Sequence, residues 1–347
     1  MSTAQKRNYA LDNIRAIAII VVVLGHSIIL YSSDWGAYNS AVYYPFLDYL
    51  KKFINLFQMP LFFSLSGYLF IQQYQKKSYL HLISNKSIRL LVPYISVALL
   101  WMIPIKLIVS YPGYDGKNFA DIFLKGILLC QDNGHLWYLP CLFIIFLISK
   151  LLFSLRTKLI SHNTKLKAKS EWIDILFLLI PVAFLFLSFK MPVPLFKNVL
   201  KYYIWFYWGG ILFAYREQIK KLKTKFVMAF LILLLIGGVF LALSCSSKLI
   251  SEAVSLIIVT CFYIFIPDRE CKTLGFISQY SFGIYLLHSP LIYITFTYLK
   301  DENPLIVIGL NFLVFGAVSL LLSIGISKTP LKILIGMKYT VKKDFSK

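Results

Sequence analysis

The chain predicts an all-α integral membrane protein, a bundle of about ten transmembrane helices with the N-terminus and C-terminus on the cytoplasmic side. Three observations lead there. Hydrophobic residues make up 59% of the 347 residues and charged residues 15%, with a mean hydropathy of +0.72; no soluble domain of this length has a core large enough for that composition. Apolar runs of membrane-crossing length, about 20 residues, recur along the chain, and lipid offers no partner to an open sheet edge, so they must be helices. The 36 Lys+Arg outnumber the 15 Asp+Glu, and with ten crossings and a cytoplasmic N-terminus most of the basic residues fall inside, as the positive-inside rule requires.

The predicted spans are 14–32, 54–72, 88–110, 136–155, 172–189, 199–215, 226–244, 250–266, 279–298 and 304–326. The first follows Lys6 and Arg7 but is long and lacks a small-residue cleavage site, so it is expected to be retained rather than removed as a signal peptide. The stretch Phe119 to Cys130 is apolar but too short to cross, and would lie in the interface or re-enter. The basic loops Lys76 to Arg89, Lys150 to Lys169 and Arg216 to Lys225 and the tail Lys328 to Lys347 all fall on the cytoplasmic side. The net charge of +21 is thus mostly topology. A basic membrane face attracts anionic lipid, whereas loops this short and this close to the bilayer make nucleic acid a poor partner. One domain covers 1–347, its core about 11–326 and its short cytoplasmic tail 327–347. Cys130, Cys141, Cys245, Cys261 and Cys271 are scattered without metal spacing and read as buried free thiols; no metal site is expected.

The first span carries two residues that a bilayer does not readily accept, Arg15 and His26. Eleven residues at 100° return His26 to within about 20° of Arg15 on the helix, roughly 16 Å further along. One face therefore holds a fixed cation near one membrane surface and a titratable imidazole past the midplane. Arg15 can snorkel to the surface; His26 is too deep and needs a polar partner or a cavity.

Four blocks carry a resemblance: LDNIRAIAIIVVVLGHS (Leu11 to Ser27), FQMPLFFSLSGYLF (Phe57 to Phe70), HLWYLPCLF (His135 to Phe143) and SFGIYLLHSP (Ser281 to Pro290). In these blocks the chain resembles the membrane-bound acyltransferase-3 family, and the wording of the first two is closest to its fucose 4-O-acetylase-like O-acetyltransferase branch. The resemblance runs from about Leu11 to Gly325. It implies transfer of an acyl group, most simply acetyl, from cytoplasmic acyl-coenzyme A as donor substrate, with no permanently bound cofactor. The acceptor would be a hydroxyl of a cell-surface or lipid-linked saccharide, such as capsule, exopolysaccharide or lipopolysaccharide, at the cytoplasmic (inner) membrane.

Within that reading His26 is the general base, because a sugar hydroxyl is a weak nucleophile and an imidazole can take its proton as it attacks a thioester. A carboxylate or carbonyl must then fix its tautomer. The bland alternative is a core histidine bonded to a neighbouring helix. Arg15 is either an interfacial anchor or a holder of coenzyme A phosphates; a pantetheine arm extends about 15–20 Å, comparable to the rise from Arg15 to His26. Asp12 would pair with Arg15 or cap the helix. Lys86 and Arg89, in NKSIRLLVPY, stand where the family often shows two arginines three apart. Lysine lacks the bidentate fork of arginine, which weakens Lys86 as a phosphate ligand.

The remaining candidates each admit two readings. Gly67 in the SGY block fits close helix packing better than Ser66 fits a nucleophile, since no G-x-S-x-G elbow surrounds it. His135, Trp137 and Tyr138 fit an interfacial aromatic belt or an acceptor site to which Asp132 and Asn133 add polar contacts. His288 fits core packing or a polar cavity, because Pro290 removes a backbone bond and frees a carbonyl nearby. The aromatic run at Tyr202 to Gly210 reads as packing. A different class also fits buried histidines in many spans: a transporter or exporter of a polysaccharide or lipid-linked sugar, or a channel-like proton pathway.

Overall fold

A computed structural model of the chain describes residues 7–33, 38, 44–73, 78–162, 170–221, 224–245 and 247–337. Helix α1 runs Tyr9–Ser27. It starts where the Asn8 side-chain oxygen accepts the Leu11 N–H at 3.1 Å, satisfying one of the orphan donors of the first turn. Asp12 is therefore free to pair with Arg15 rather than to cap. The helix rises about 28 Å, close to the hydrocarbon thickness of a bilayer. Helix α2 is Pro45–Ile71, α3 Tyr79–Ile108 and α4 Gly134–Ser161. Then follow α5 Ser170–Ser188, α6 Pro194–Ala214, α7 Lys225–Ser244, α8 Lys248–Phe265, α9 Lys272–Tyr298 and α10 Pro304–Ser327. Among the described residues there is no strand.

All ten predicted stretches are helical; among the described residues α1, α2, α3, α4, α7, α8 and α10 are long and apolar enough to cross a membrane by length and composition, and Leu176–Ser188 within α5 is a shorter apolar stretch. Seven of the ten expected spans thus qualify. Helix α9 falls short for a reason in its own residues. That helix buries His288, Ser278, Ser281, Ser289 and Thr295 inside the bundle, and protein-facing polar residues lower its apolarity. Helix α7 is the opposite, with Phe230, Leu233, Ile236 and Phe240 all exposed, as a lipid-facing rim helix requires. Hydropathy also marks only the lipid-deep part of a helix: α2 begins nine residues before its predicted span and carries Asp48 and Lys51 buried in its first turns.

Helices α2 and α6 cross through glycines. A Cβ on Gly67 would overlap the Phe206 carbonyl, and one on Gly209 the Ser64 carbonyl, so only hydrogen at both positions lets the backbones approach this closely. The aromatic run of α6 fills the space around that crossing, with Trp205, Tyr203 and Phe206 fully buried. In α3, π turns over Ser87–Leu91 and Ala98–Met102 precede Pro93 and Pro104, which cannot supply the N–H that a continuous α-helix needs.

The stretch Phe119 to Cys130 forms a short helical element, Phe119–Asp121 and Ile122–Leu128. It buries Ile122 and Ile127 against the bundle. Cys245 and Cys271 are exposed, correcting the expectation of five buried thiols: both sit at helix ends, outside the packed interior.

Candidate active site

Helices α1 and α9 bring the two histidines that the chain separates by 262 residues to within 3.1 Å, His288 Nε2 to His26 Nδ1. Each Nδ1 also meets a carbonyl of its own helix one turn back, Val22 at 3.0 Å for His26 and Ile284 at 2.8 Å for His288. A carbonyl only accepts, so both Nδ1 atoms carry the proton. The His288 Nε2 is then an acceptor for the shared His26 Nδ1–H, and the lone pair of His26 sits on Nε2. The required tautomer lock is thus a carbonyl one turn away, assisted by a second histidine.

His135 completes the cluster, its ring centroid 5.8 Å from that of His288. Its Nε2–H donates to the Leu286 carbonyl at 3.0 Å. That is the carbonyl which Pro290, four residues on, leaves without a helical partner. The next carbonyl, Leu287, accepts Trp101 Nε1–H at 3.0 Å, and the Tyr285 hydroxyl donates to the His135 carbonyl. Helix α9 continues unbroken through Pro290 because neighbouring side chains take up its freed acceptors. His288 and His135 are 1% and 7% exposed, whereas His26 is only half-buried. His26 is the most exposed of the three.

The Arg15 end is held by charge instead. Arg15 Nη1 lies 3.4 Å from Asp12 Oδ1 and 3.4 Å from Ser278 Oγ on α9. Arg7 reaches the other Asp12 oxygen at 2.7 Å. Arg15 keeps 29% of its side chain exposed. Arg89 is exposed. Lys86 lies over the Phe146 ring at 3.4 Å.

At the start of α4 a cavity of about 230 Å³ is lined by Asp132, Asn133, Gly134, Trp137, Gln131 and Asn198 among others. Asp132 and Trp137 therefore share one site, while His135 and His288, predicted alongside them, point into the histidine cluster. The belt reading of His135 is corrected on the same ground: it is buried and bonded to α9. Behind the cavity stands a residue that sequence reasoning missed, Lys106. It is fully buried, 3.4 Å from Asp132 Oδ1 and surrounded by Tyr111, Tyr114 and Tyr293 at 4.0–5.0 Å. The rule that singled out Arg15, a charge inside an apolar run, also finds Lys106. Lys51, 3% exposed, was missed because it precedes the predicted second span. Among the described residues no group of three His, Cys, Asp or Glu is placed to hold a metal ion.

A helical bundle with seven apolar helices of membrane-crossing length and a polar histidine cluster in its interior defines a multi-pass membrane protein. Residues 8–328 match the acyltransferase-3 family, an acyltransferase domain, and the chain belongs to that family. Among curated proteins it is similar to glucans biosynthesis protein C of Salmonella typhimurium, 26% identical over 151 residues. It is also similar to nodulation protein NolL of Sinorhizobium fredii, 27% identical over 152 residues. Each match takes in 43% of this chain, and 39% and 37% of the respective relative, so the chain matches well under half the length of these relatives. No solved structure matches it.

Proposed function

We propose that the protein is a membrane O-acyltransferase that moves an acyl group, most simply acetyl, from cytoplasmic acyl-coenzyme A to a hydroxyl of a cell-surface or lipid-linked saccharide. One observation carries the reading: of three clustered histidines, only His26 is accessible, and its Nδ1 is committed to the Val22 carbonyl and His288, which leaves Nε2 as a base. His26 Nε2 takes the hydroxyl proton as the sugar oxygen attacks the thioester carbon. The C–S bond then breaks, and the imidazolium returns the proton to the leaving thiolate. The products are a sugar ester and free coenzyme A. His288 fixes the ring orientation and shares the developing positive charge.

Arg15 and Arg89 hold the donor phosphates, and the rise of roughly 16 Å along α1 matches the reach of the pantetheine arm. Lys86, seated on Phe146, adds charge without a bidentate grip. The acceptor enters the cavity at the start of α4. There Trp137 offers a stacking face and Asp132, paired with Lys106, accepts from hydroxyls. A volume below the about 300–1,000 Å³ of drug-sized pockets suits one sugar ring of a longer acceptor. The name of one relative, concerned with glucan biosynthesis, supports a carbohydrate acceptor. In this orientation both termini and the Thr157 to Ser170 loop are cytoplasmic, the basic mouth faces the donor pool and the cavity faces outward.

The test is ester formation by protein reconstituted in nanodiscs with labelled acetyl-coenzyme A and a saccharide acceptor. Donor-dependent label on the saccharide is expected. Saccharide that crosses a vesicle membrane unmodified would instead support a transporter. Cysteine labelling of intact cells should leave the Thr157 to Ser170 loop unmodified; labelling from outside would reverse the orientation.

A further inference from the structure

Where α1 meets α2, a second polar cluster lies beside His26 and takes no part in the steps above. Gly25 faces it: a Cβ there would come 2.9 Å from Gln58 Oε1, 2.9 Å from Ile54 Cγ2 and 3.4 Å from Lys51 Nζ. Lys51, Asn55 and Gln58 recur at the i, i+4, i+7 spacing of one helix face. Gln58 Nε2–H donates to Asn55 Oδ1 at 2.7 Å, which leaves Gln58 Oε1 buried without a partner. Lys51 is 3% exposed and Gln58 8%. The charged or titratable groups around His26 include His288 from α9 at 3.1 Å, His135 from α4 behind it, and Lys51 from α2 against the preceding Gly25. Holding an ammonium inside a bundle costs several kcal/mol, and this one is held beside the candidate base.

We propose that Lys51 is a further catalytic residue, whose ammonium pairs with the oxyanion that forms when the saccharide hydroxyl attacks the acyl thioester. The proposal rests on the acyltransferase reading. The proton of the hydroxyl goes to His26 Nε2 and the new O–C bond forms. The carbonyl π pair moves onto oxygen beside the Lys51 ammonium, which stays protonated throughout. The pair then returns, the C–S bond breaks and the thiolate takes the proton from His26. An oxyanion donor must stand within hydrogen-bond reach of the reacting carbonyl, and Lys51 lies on the helix that packs against the residue preceding His26. Without a side chain, Gly25 lets Lys51 and Gln58 of α2 close onto α1 at the position next to His26.

The experiment compares Lys51→Met and Lys51→Arg with wild type in nanodiscs, measuring kcat and both KM values. Loss of an oxyanion donor costs about 10²- to 10³-fold in kcat, so Lys51→Met should fall that far with each KM within about threefold. Lys51→Arg should recover at least about tenfold over Lys51→Met, since it restores the charge. A folded Lys51→Met with kcat near wild type, or one that changes only a KM, overturns the proposal. Should Lys51→Met fail to fold, Lys51→Gln decides in its place, since it removes the charge and keeps a polar group: a kcat near wild type sinks the idea, while a fall of about 10²-fold or more with unchanged KM sustains it. Wild-type protein that forms no ester overturns both readings; wild type that forms ester while Lys51→Met matches it overturns this one alone.

Discussion

The two ends of the Arg15–His26 face are built by different forces. At the Arg15 end, Asp12, Arg7 and Ser278 form contacts of 2.7–3.4 Å around partly exposed cations. Charge–charge attraction is long-ranged and weakly directional, so this end tolerates displacement and can exchange partners for phosphates. At the His26 end, contacts of 2.8–3.1 Å run from imidazole N–H groups to backbone carbonyls and one imidazole. Those bonds dictate which nitrogen holds the proton. On the proposed reading, a mouth that admits a charged donor is held by exchangeable pairs, and a site that places one lone pair is held by the backbone.

The comparison breaks most visibly at His26. His26→Ala should lower turnover by about 10²- to 10⁴-fold, the contribution of a general base, while the purified protein stays folded; wild-type turnover would return His26 to a packing role. Next comes Arg89→Gln. A charge-assisted hydrogen bond contributes about 1.5–3 kcal/mol, so the apparent donor constant should rise roughly 10- to 100-fold with saturated turnover nearly intact. With an acyl-pantetheine that lacks the nucleotide and its phosphates, the penalty should vanish. An equal penalty with both donors would mean that Arg89 acts on the fold or the acceptor.

Smaller effects sharpen the contrast. Pro290→Ala returns an N–H to the Leu286 carbonyl and competes with His135 for it. One net hydrogen bond is about 0.5–1.5 kcal/mol, so kcat should drop about 2- to 10-fold with no change in the donor constant. A shift in the donor constant alone would show that the two ends are not separate. Lys86→Gln should do least, raising the donor constant by less than about threefold, because lysine is a point charge and this one rests on Phe146. A penalty equal to that of Arg89→Gln would place Lys86 among the phosphate ligands.

Much of this was legible in the chain. Arg15 and His26 announce themselves as charges in an apolar run, Gly67 as a close-packing residue, and Pro290 as the source of a free carbonyl near a histidine. Lys106 was equally legible by the Arg15 rule and was passed over inside the third span. Lys51 was not, because hydropathy starts the second span at residue 54 while α2 starts at Pro45. The partner of His26 was illegible for a different reason. His288 lies 262 residues away, and nothing local in either segment names the other.

The sequence by itself determined the class and the local chemistry. Composition demands lipid, run length demands helices, and the 3.6-residue period puts Arg15 and His26 on one face; all three are properties of neighbouring residues. Only the tertiary structure decided that His135 leaves the cavity for the Leu286 carbonyl, that Asp132 stands against Lys106, and that Lys51 packs beside Gly25. Hydrogen bonds and ion pairs act over a few ångströms, and which groups come that close depends on how whole helices cross. The glycines at the α2–α6 crossing and the carbonyls freed by proline set those approaches, between residues that no sequence period connects.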